Sequence, residues 1–117
     1  MDYRSYQEAW TQRWARQAEA DRAAAARARE AAQRLARVLR DRHGVHRVVL
    51  VGSLARGEFR ATSDIDLGVE GLDDAVFFRV GAELERLAEG FRVDLIPLES
   101  ADAEFRRAAD RDGLELA

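Results

Sequence analysis

Residues 46–71 read HRVVLVGSLARGEFRATSDIDLGVEG. The segment from His46 to Val51 is β-branched and apolar and breaks off at Gly52-Ser53, which predicts a buried strand followed by a turn or a single helical turn over residues 53–57. Glu58 to Thr62 reads as a loop, with Glu58 and Arg60 on its surface. From Ser63 to Gly71 apolar and polar residues alternate, so Ile65, Leu67 and Val69 fall on one face of a second strand while Asp64, Asp66 and the small Gly68 share the other.

Upstream, Tyr3 to Arg42 contains no Gly or Pro and is dominated by Ala, Arg, Gln, Glu and Leu. That composition predicts one long helix stopped by His43-Gly44. Tyr3, Tyr6, Trp10 and Trp14 recur at spacings of three and four, and Ala24, Ala28, Ala32, Leu35 and Leu39 continue a thinner apolar stripe. His43 and His46 read as capping or solvated residues. Downstream, Asp73 is suited to cap a helix through DAVFFRVGAELERLAEG that Gly90 ends, with Phe77, Phe78, Leu84 and Leu87 expected in the core. FRVDLIPLES reads as a third strand with Val93 and Leu95 on one face and Asp94 on the other. Residues 99–111 read as a final helix, and GLELA as a short edge strand. The order of elements predicts a small α/β (α+β) domain, a mixed sheet flanked by helices, with residues 1–42 as a helical extension and residues 43–117 as the globular unit.

Length and composition narrow the function classes. At 117 residues the chain suits one core. It has no Cys, so disulfides and thiolate metal sites are excluded. No apolar run approaches the roughly 18 residues that cross a bilayer, and the first residues lack a secretory pattern, so a cytoplasmic home is expected. All 19 basic residues are Arg, and they are unevenly spread: residues 1–42 hold 10 Arg against 6 acids, residues 43–117 hold 9 against 16. The globular part thus lacks the basic footprint of a DNA binder, and no direct DNA binding is expected.

Two Asp at i and i+2 on a strand project from one face, and a third on a neighbouring strand can converge on them. Asp64, Asp66 and Asp94 fit that pattern. Ionised carboxylates so close repel, two unit charges at about 4 Å interacting by about 4 kcal/mol at an effective dielectric near 20. Protonation, an Arg clamp or a divalent cation could offset this, and an oxygen-only donor set suits Mg²⁺ or Mn²⁺ alongside substrate phosphates. Gly52 permits close approach of a ligand to the backbone, and amides around Ser53 at a helix start would face an anion. Arg56 has two readings of equal weight, a phosphate contact or an ion pair with Glu58.

The spacing Gly-Ser, ten residues, Asp-any-Asp, filled as GSLARGEFRATSDID, resembles the signature of the nucleotidyltransferase superfamily typified by DNA polymerase beta. Within it the chain is most similar to the minimal nucleotidyltransferases. Gly52, Ser53, Ala55, Arg56, Gly57, Ser63, Asp64, Asp66 and Leu67 carry the resemblance, with Asp94 in VDLIPL at the third carboxylate and RRAADRDGLEL like the close of that domain. The similarity spans about residues 43–117. It implies a polymerase-beta-like fold that binds ATP and two Mg²⁺ ions and transfers AMP to an acceptor hydroxyl. Asp64, Asp66 and Asp94 would be the catalytic and metal-binding residues, and Gly52, Ser53, Arg56 and Ser63 would contact the nucleotide.

The resemblance further implies a protein acceptor, a HEPN-type toxin neutralised by this chain as antitoxin. Two rivals stay open: nucleotidylation of a small molecule such as an aminoglycoside, and a non-catalytic antitoxin that acts by occlusion. The helix raises a separate question. Unbroken over about 40 residues it would run roughly 60 Å, whereas the remaining residues form a body only about 30 Å across. Either it breaks near Ala18 to Asp21 and folds back, or its Tyr and Trp stripe packs on another chain, a second copy included; the absence of a helix breaker favours the second.

Overall fold

The computed structural model describes residues 2–117. Helix α1 runs unbroken over Tyr3–His43. Asp2 caps its start by accepting a hydrogen bond from the Ser5 amide at 2.8 Å. Gly44 ends it in the left-handed region at φ 65°, its amide and that of Val45 closing back on Arg40 and Leu39 at 3.2 Å. At 1.5 Å per residue such a helix is about 61 Å long, which equals the molecule's longest dimension in extents of 61 × 30 × 19 Å. The helix is therefore straight and does not fold back at Ala18 to Asp21. The radius of gyration, 17.4 Å, exceeds the roughly 13 Å of a compact chain of this length because the helix overshoots the body.

Strands β1 (Arg47–Val51), β2 (Ile65–Glu70), β3 (Val93–Pro97) and β4 (Leu114–Glu115) form one mixed sheet in the order β3-β2-β1-β4. β1 is antiparallel to both its neighbours, and β2 and β3 are parallel, joined through helix α3 (Phe77–Leu87). Helix α2 (Gly52–Arg56) is the single turn after β1, and helix α4 (Ala103–Asp112) precedes β4.

Period-two alternation divides the sheet into two buried faces. Val48, Leu50, Ile65, Leu67 and Val69 pack with α1 and α3 in the larger core, while Val49 and Val51 pack with Leu98 and Ala109 in a smaller one. The α1 contribution is mostly alanine, Ala24, Ala28, Ala31, Ala32 and Ala36, with Leu35 and Leu39; small side chains let the helix lie close to the sheet. Residues 24–39 of α1 are thus a layer of the globular unit. A boundary at residue 42 would strip the sheet of its cover, so only the part of α1 before the core is an extension.

Polar clasps fix the edges. The Arg47 guanidinium donates to Glu115 at 2.8 Å, Glu70 at 3.0 Å and Asp110 at 2.8 Å, tying β1 to β2, β4 and α4. These carboxylates hold Arg47 even more firmly protonated than usual. His43 meets Glu83 at 3.2 Å and joins the end of α1 to α3.

Several expectations are corrected. Phe78 is 89% exposed and Leu87 is exposed too, because α3 presents Val80 and Leu84 to the core; Phe78 instead meets Phe77 edge to face at 5.8 Å. In the loop after α2, Glu58 and Arg60 are exposed as expected, while Phe59, to which the sequence reading gave no place, is buried against Phe91 at 6.0 Å. The last helix starts at Ala103, after a short 3₁₀ turn over Leu98–Ser100, with Asp102 capping the Phe105 amide at 2.7 Å. Accordingly, Leu35→Ala should cost about 2–5 kcal/mol in urea unfolding through loss of packed volume, whereas Phe78→Ala should stay within about 0.5 kcal/mol of the parent.

Candidate active site

Strand register builds the site. Val51 pairs with Asp66 across β1 and β2, and Asp66 pairs with Asp94 across β2 and β3. In-register residues on paired strands project from the same face, about 4.8 Å apart along the sheet. Asp66 is thus flanked by Asp94 on one side and by the turn into α2 on the other. That turn is made by Gly52 in the left-handed region at φ 74°, and a Cβ there would run into the Asp66 carboxylate. Glycine is required twice over, for its backbone conformation and for the space that Asp66 occupies.

Gly52, Arg56, Asp66 and Asp94 line one cavity of about 400 Å³, whose apolar wall includes Ile96 and Phe105. Asp66 is half-buried, and burial raises its pKa first; the charges of Asp94 and Asp64 raise it further, and Arg56 opposes them. The site accordingly concentrates negative charge. Arg56 offers only partial relief, since it pairs with Glu58 at 3.1 Å.

Not every expected residue joins the cavity. Asp64 lies one residue before β2, exposed and outside the lining, although near enough for its charge to act on Asp66. Ser63 turns its hydroxyl to the Arg60 amide at 3.0 Å and stabilises the loop. Ser53 holds that loop from the other end, its carbonyl accepting the Glu58 amide at 2.8 Å. Neither serine lines the cavity. The wall formed by α4, with Phe105, Ala108, Ala109 and Asp112, is the component to which the sequence reading gave no role in the site; Ala108, Ala109 and Asp112 lie in the RRAADRDGLEL stretch that resembles the close of the family's domain, and the i, i+3, i+4, i+7 spacing of the four reads equally as core.

Among the described residues, no group of three acidic or histidine side chains stands close enough to hold a metal ion unaided. The donor chemistry still fits Mg²⁺ or Mn²⁺: Asp66 and Asp94 present carboxylate oxygens side by side with mutual repulsion to relieve, and such ions take their other ligands from water and phosphate. No helix among the described residues is long and apolar enough to cross a membrane.

A family profile described as a nucleotidyltransferase domain matches residues 32–113. Solved structures match as well. A candidate minimal nucleotidyltransferase is 34% identical, with a TM-score of 0.62 over 74% of this chain and 89% of that one. A toxin–antitoxin complex with AMP-PNP is 27% identical, with a TM-score of 0.65 over 74% and 72% of the two chains. A tri-AMPylated HEPN toxin from Shewanella oneidensis in complex with its MNT antitoxin is 24% identical, with a TM-score of 0.60 over 76% and 71%, a likeness of fold. No curated protein matches significantly in sequence.

The raised pKa of Asp66 carries a pH dependence with a defined sign. The folded state binds this proton more tightly than the unfolded state, whose ordinary aspartate value is 3.8. The ligand-free protein therefore loses stability as pH rises from that value through the higher folded one. Asp66→Asn should raise the melting temperature of the ligand-free protein at about pH 7, and the difference should vanish below about pH 3.5, as thermal denaturation across that range would measure.

Proposed function

The chain belongs to the nucleotidyltransferase domain family, and we propose that it transfers AMP from ATP, with Mg²⁺, to a hydroxyl on a HEPN-type toxin partner, which it thereby neutralises. The observation that carries this reading is the register that sets Asp66 beside Asp94 and against Gly52 in one cavity. A toxin as partner is argued from likeness to the toxin–antitoxin complex with AMP-PNP, and its HEPN type from the family resemblance of the Gly-Ser and Asp-any-Asp motif.

In the reaction, an acceptor oxygen bonds to the α-phosphorus of ATP as the bond to the bridging oxygen breaks, and pyrophosphate leaves. Asp94, on the exposed side of the pair, takes the proton from the acceptor hydroxyl. Asp66 and Asp94, with Asp64 contributing charge from the start of β2, would hold Mg²⁺. Once bound, that ion neutralises the triphosphate and orients it for in-line displacement. Gly52 lets the polyphosphate lie against the backbone, and the first amides of α2, which no side chain caps, can meet phosphate oxygens. Arg56 at the cavity rim can exchange Glu58 for a phosphate. Ser53 and Ser63 act by holding the loop that frames this turn. The apolar wall of Ile96 and Phe105 excludes water from one side of the site.

Labelled ATP and Mg²⁺, with the protein encoded beside this chain as acceptor, test the proposal. Wild type should label the acceptor, and the Asp64→Asn, Asp66→Asn double variant should lose at least about 100-fold of the rate, the scale expected when charge stabilisation of the transition state is removed. Equal labelling by the double variant would refute the assignment. Chelation should abolish labelling, and added Mg²⁺ or Mn²⁺ should restore it. Gly52→Ala should be inactive while remaining folded by circular dichroism, because its methyl group displaces the Asp66 carboxylate. Tight partner binding without Mg-ATP binding in calorimetry would favour occlusion instead.

A further inference from the structure

The aromatic stripe of α1 is not a random exposure. At about 100° per residue, Tyr3, Tyr6, Trp10 and Trp14 occupy the same sector of roughly 80° as Ala24, Ala28, Ala32, Leu35 and Leu39, the residues that cover the sheet. One helix face is therefore buried along its second half and bare along its first. No described residue before Ala24 is buried, and Tyr3, Tyr6, Trp10 and Trp14 are 76%, 53%, 40% and 70% exposed. The rings contact one another edge to face, Tyr6 to Trp10 at 6.1 Å and Trp10 to Trp14 at 6.2 Å, forming one continuous strip.

The body ends abruptly beside this strip. Ala61 donates its amide to Asp21 at 3.0 Å, and the loop of Arg60, Ala61 and Thr62 faces Trp14, Gln17 and Ala18 across an open cleft. The bare helix face makes a ledge about 27 Å long, from Tyr3 to Ala20, walled by that loop at its inner end, beside Trp14 to Ala18. We propose that this ledge is filled by the same segment of a second copy, the two overhangs packing antiparallel in a two-fold dimer.

Two observations select a second copy as the occupant, in a two-fold contact that closes on itself. Residues 2–20 carry Arg4, Arg13 and Arg16 against Asp2, Glu8 and Glu19, so their pairing sets no net charge against itself. The exposed rings amount to roughly 500 Å² per copy, which reaches the total of about 1,000 Å² that a specific interface needs before the flanking Gln7, Arg13 and Gln17 are added. The proposal does not rest on the transferase reading, since the ledge lies outside the carboxylate cavity.

Sedimentation and fluorescence of the full chain test it. The weight-average mass should be twice 13.2 kDa at tens of micromolar and fall toward 13.2 kDa on dilution. Trp10 and Trp14 are the only tryptophans, so emission should shift to longer wavelength over the same dilution range. A Trp10→Ala, Trp14→Ala variant should stay monomeric at ten times the concentration at which wild type is dimeric, with its molar ellipticity kept within about a tenth. A wild type that is monomeric throughout, with concentration-independent emission, overturns the proposal. So does a stripe that becomes protected only when the adjacent gene's product is added.

Discussion

Asp66 is held where its charge is least welcome, half-buried beside Asp94 and against the backbone of Gly52. Repulsion within such a cluster would separate the groups in a flexible chain. Here β1, β2 and β3 lock them into register, and the apolar alternation of β2 enforces that register, because a slip of one residue would send Ile65, Leu67 and Val69 to the wrong face. The larger core thus supplies the rigidity that the charged cluster lacks. The cavity thus lies between a well-packed face and an edge where negative charge is concentrated.

Helix α1 serves the same arrangement from the other side. Its alanine-rich second half closes over the sheet, so that the buried faces of β1 and β2 are covered without a bulky layer. The first half repeats the same helical face with aromatic residues in place of alanine and has no sheet beneath it. Covering a sheet at close range favours small side chains, whereas an association surface favours large rigid ones, and the change in residue size along one face marks where the body ends.

On the opposite face of the sheet, α4 performs two tasks. Ala109 packs against Val49 and Val51, and Phe105 extends from the same helix to wall the carboxylate cavity. The Arg47 clasp to Glu70, Asp110 and Glu115 fixes α4 and the two-residue β4 to the sheet. A strand so short has little pairing of its own, and the guanidinium bonds compensate for it.

Much of this was legible in the residues. The helical character of the first 42 residues and its stop at His43-Gly44, the strand ending at Gly52, the alternation of β2, the third strand with Asp94 opposed to Leu95, and the edge strand all follow from local rules, because period and breaker residues act within a few positions of one another; that the helix runs unbroken was settled by the tertiary structure. The closeness of Asp66 and Asp94 was readable as a pattern, but its register was not, since pairing between distant segments is decided by how both faces fill. Tertiary structure alone put Phe78 in solvent, turned Ser63 into a loop brace, left Asp64 outside the cavity and brought Phe105 to its wall. Each of these outcomes depends on which neighbour occupies a face, and a linear sequence states that a face is apolar without stating what covers it.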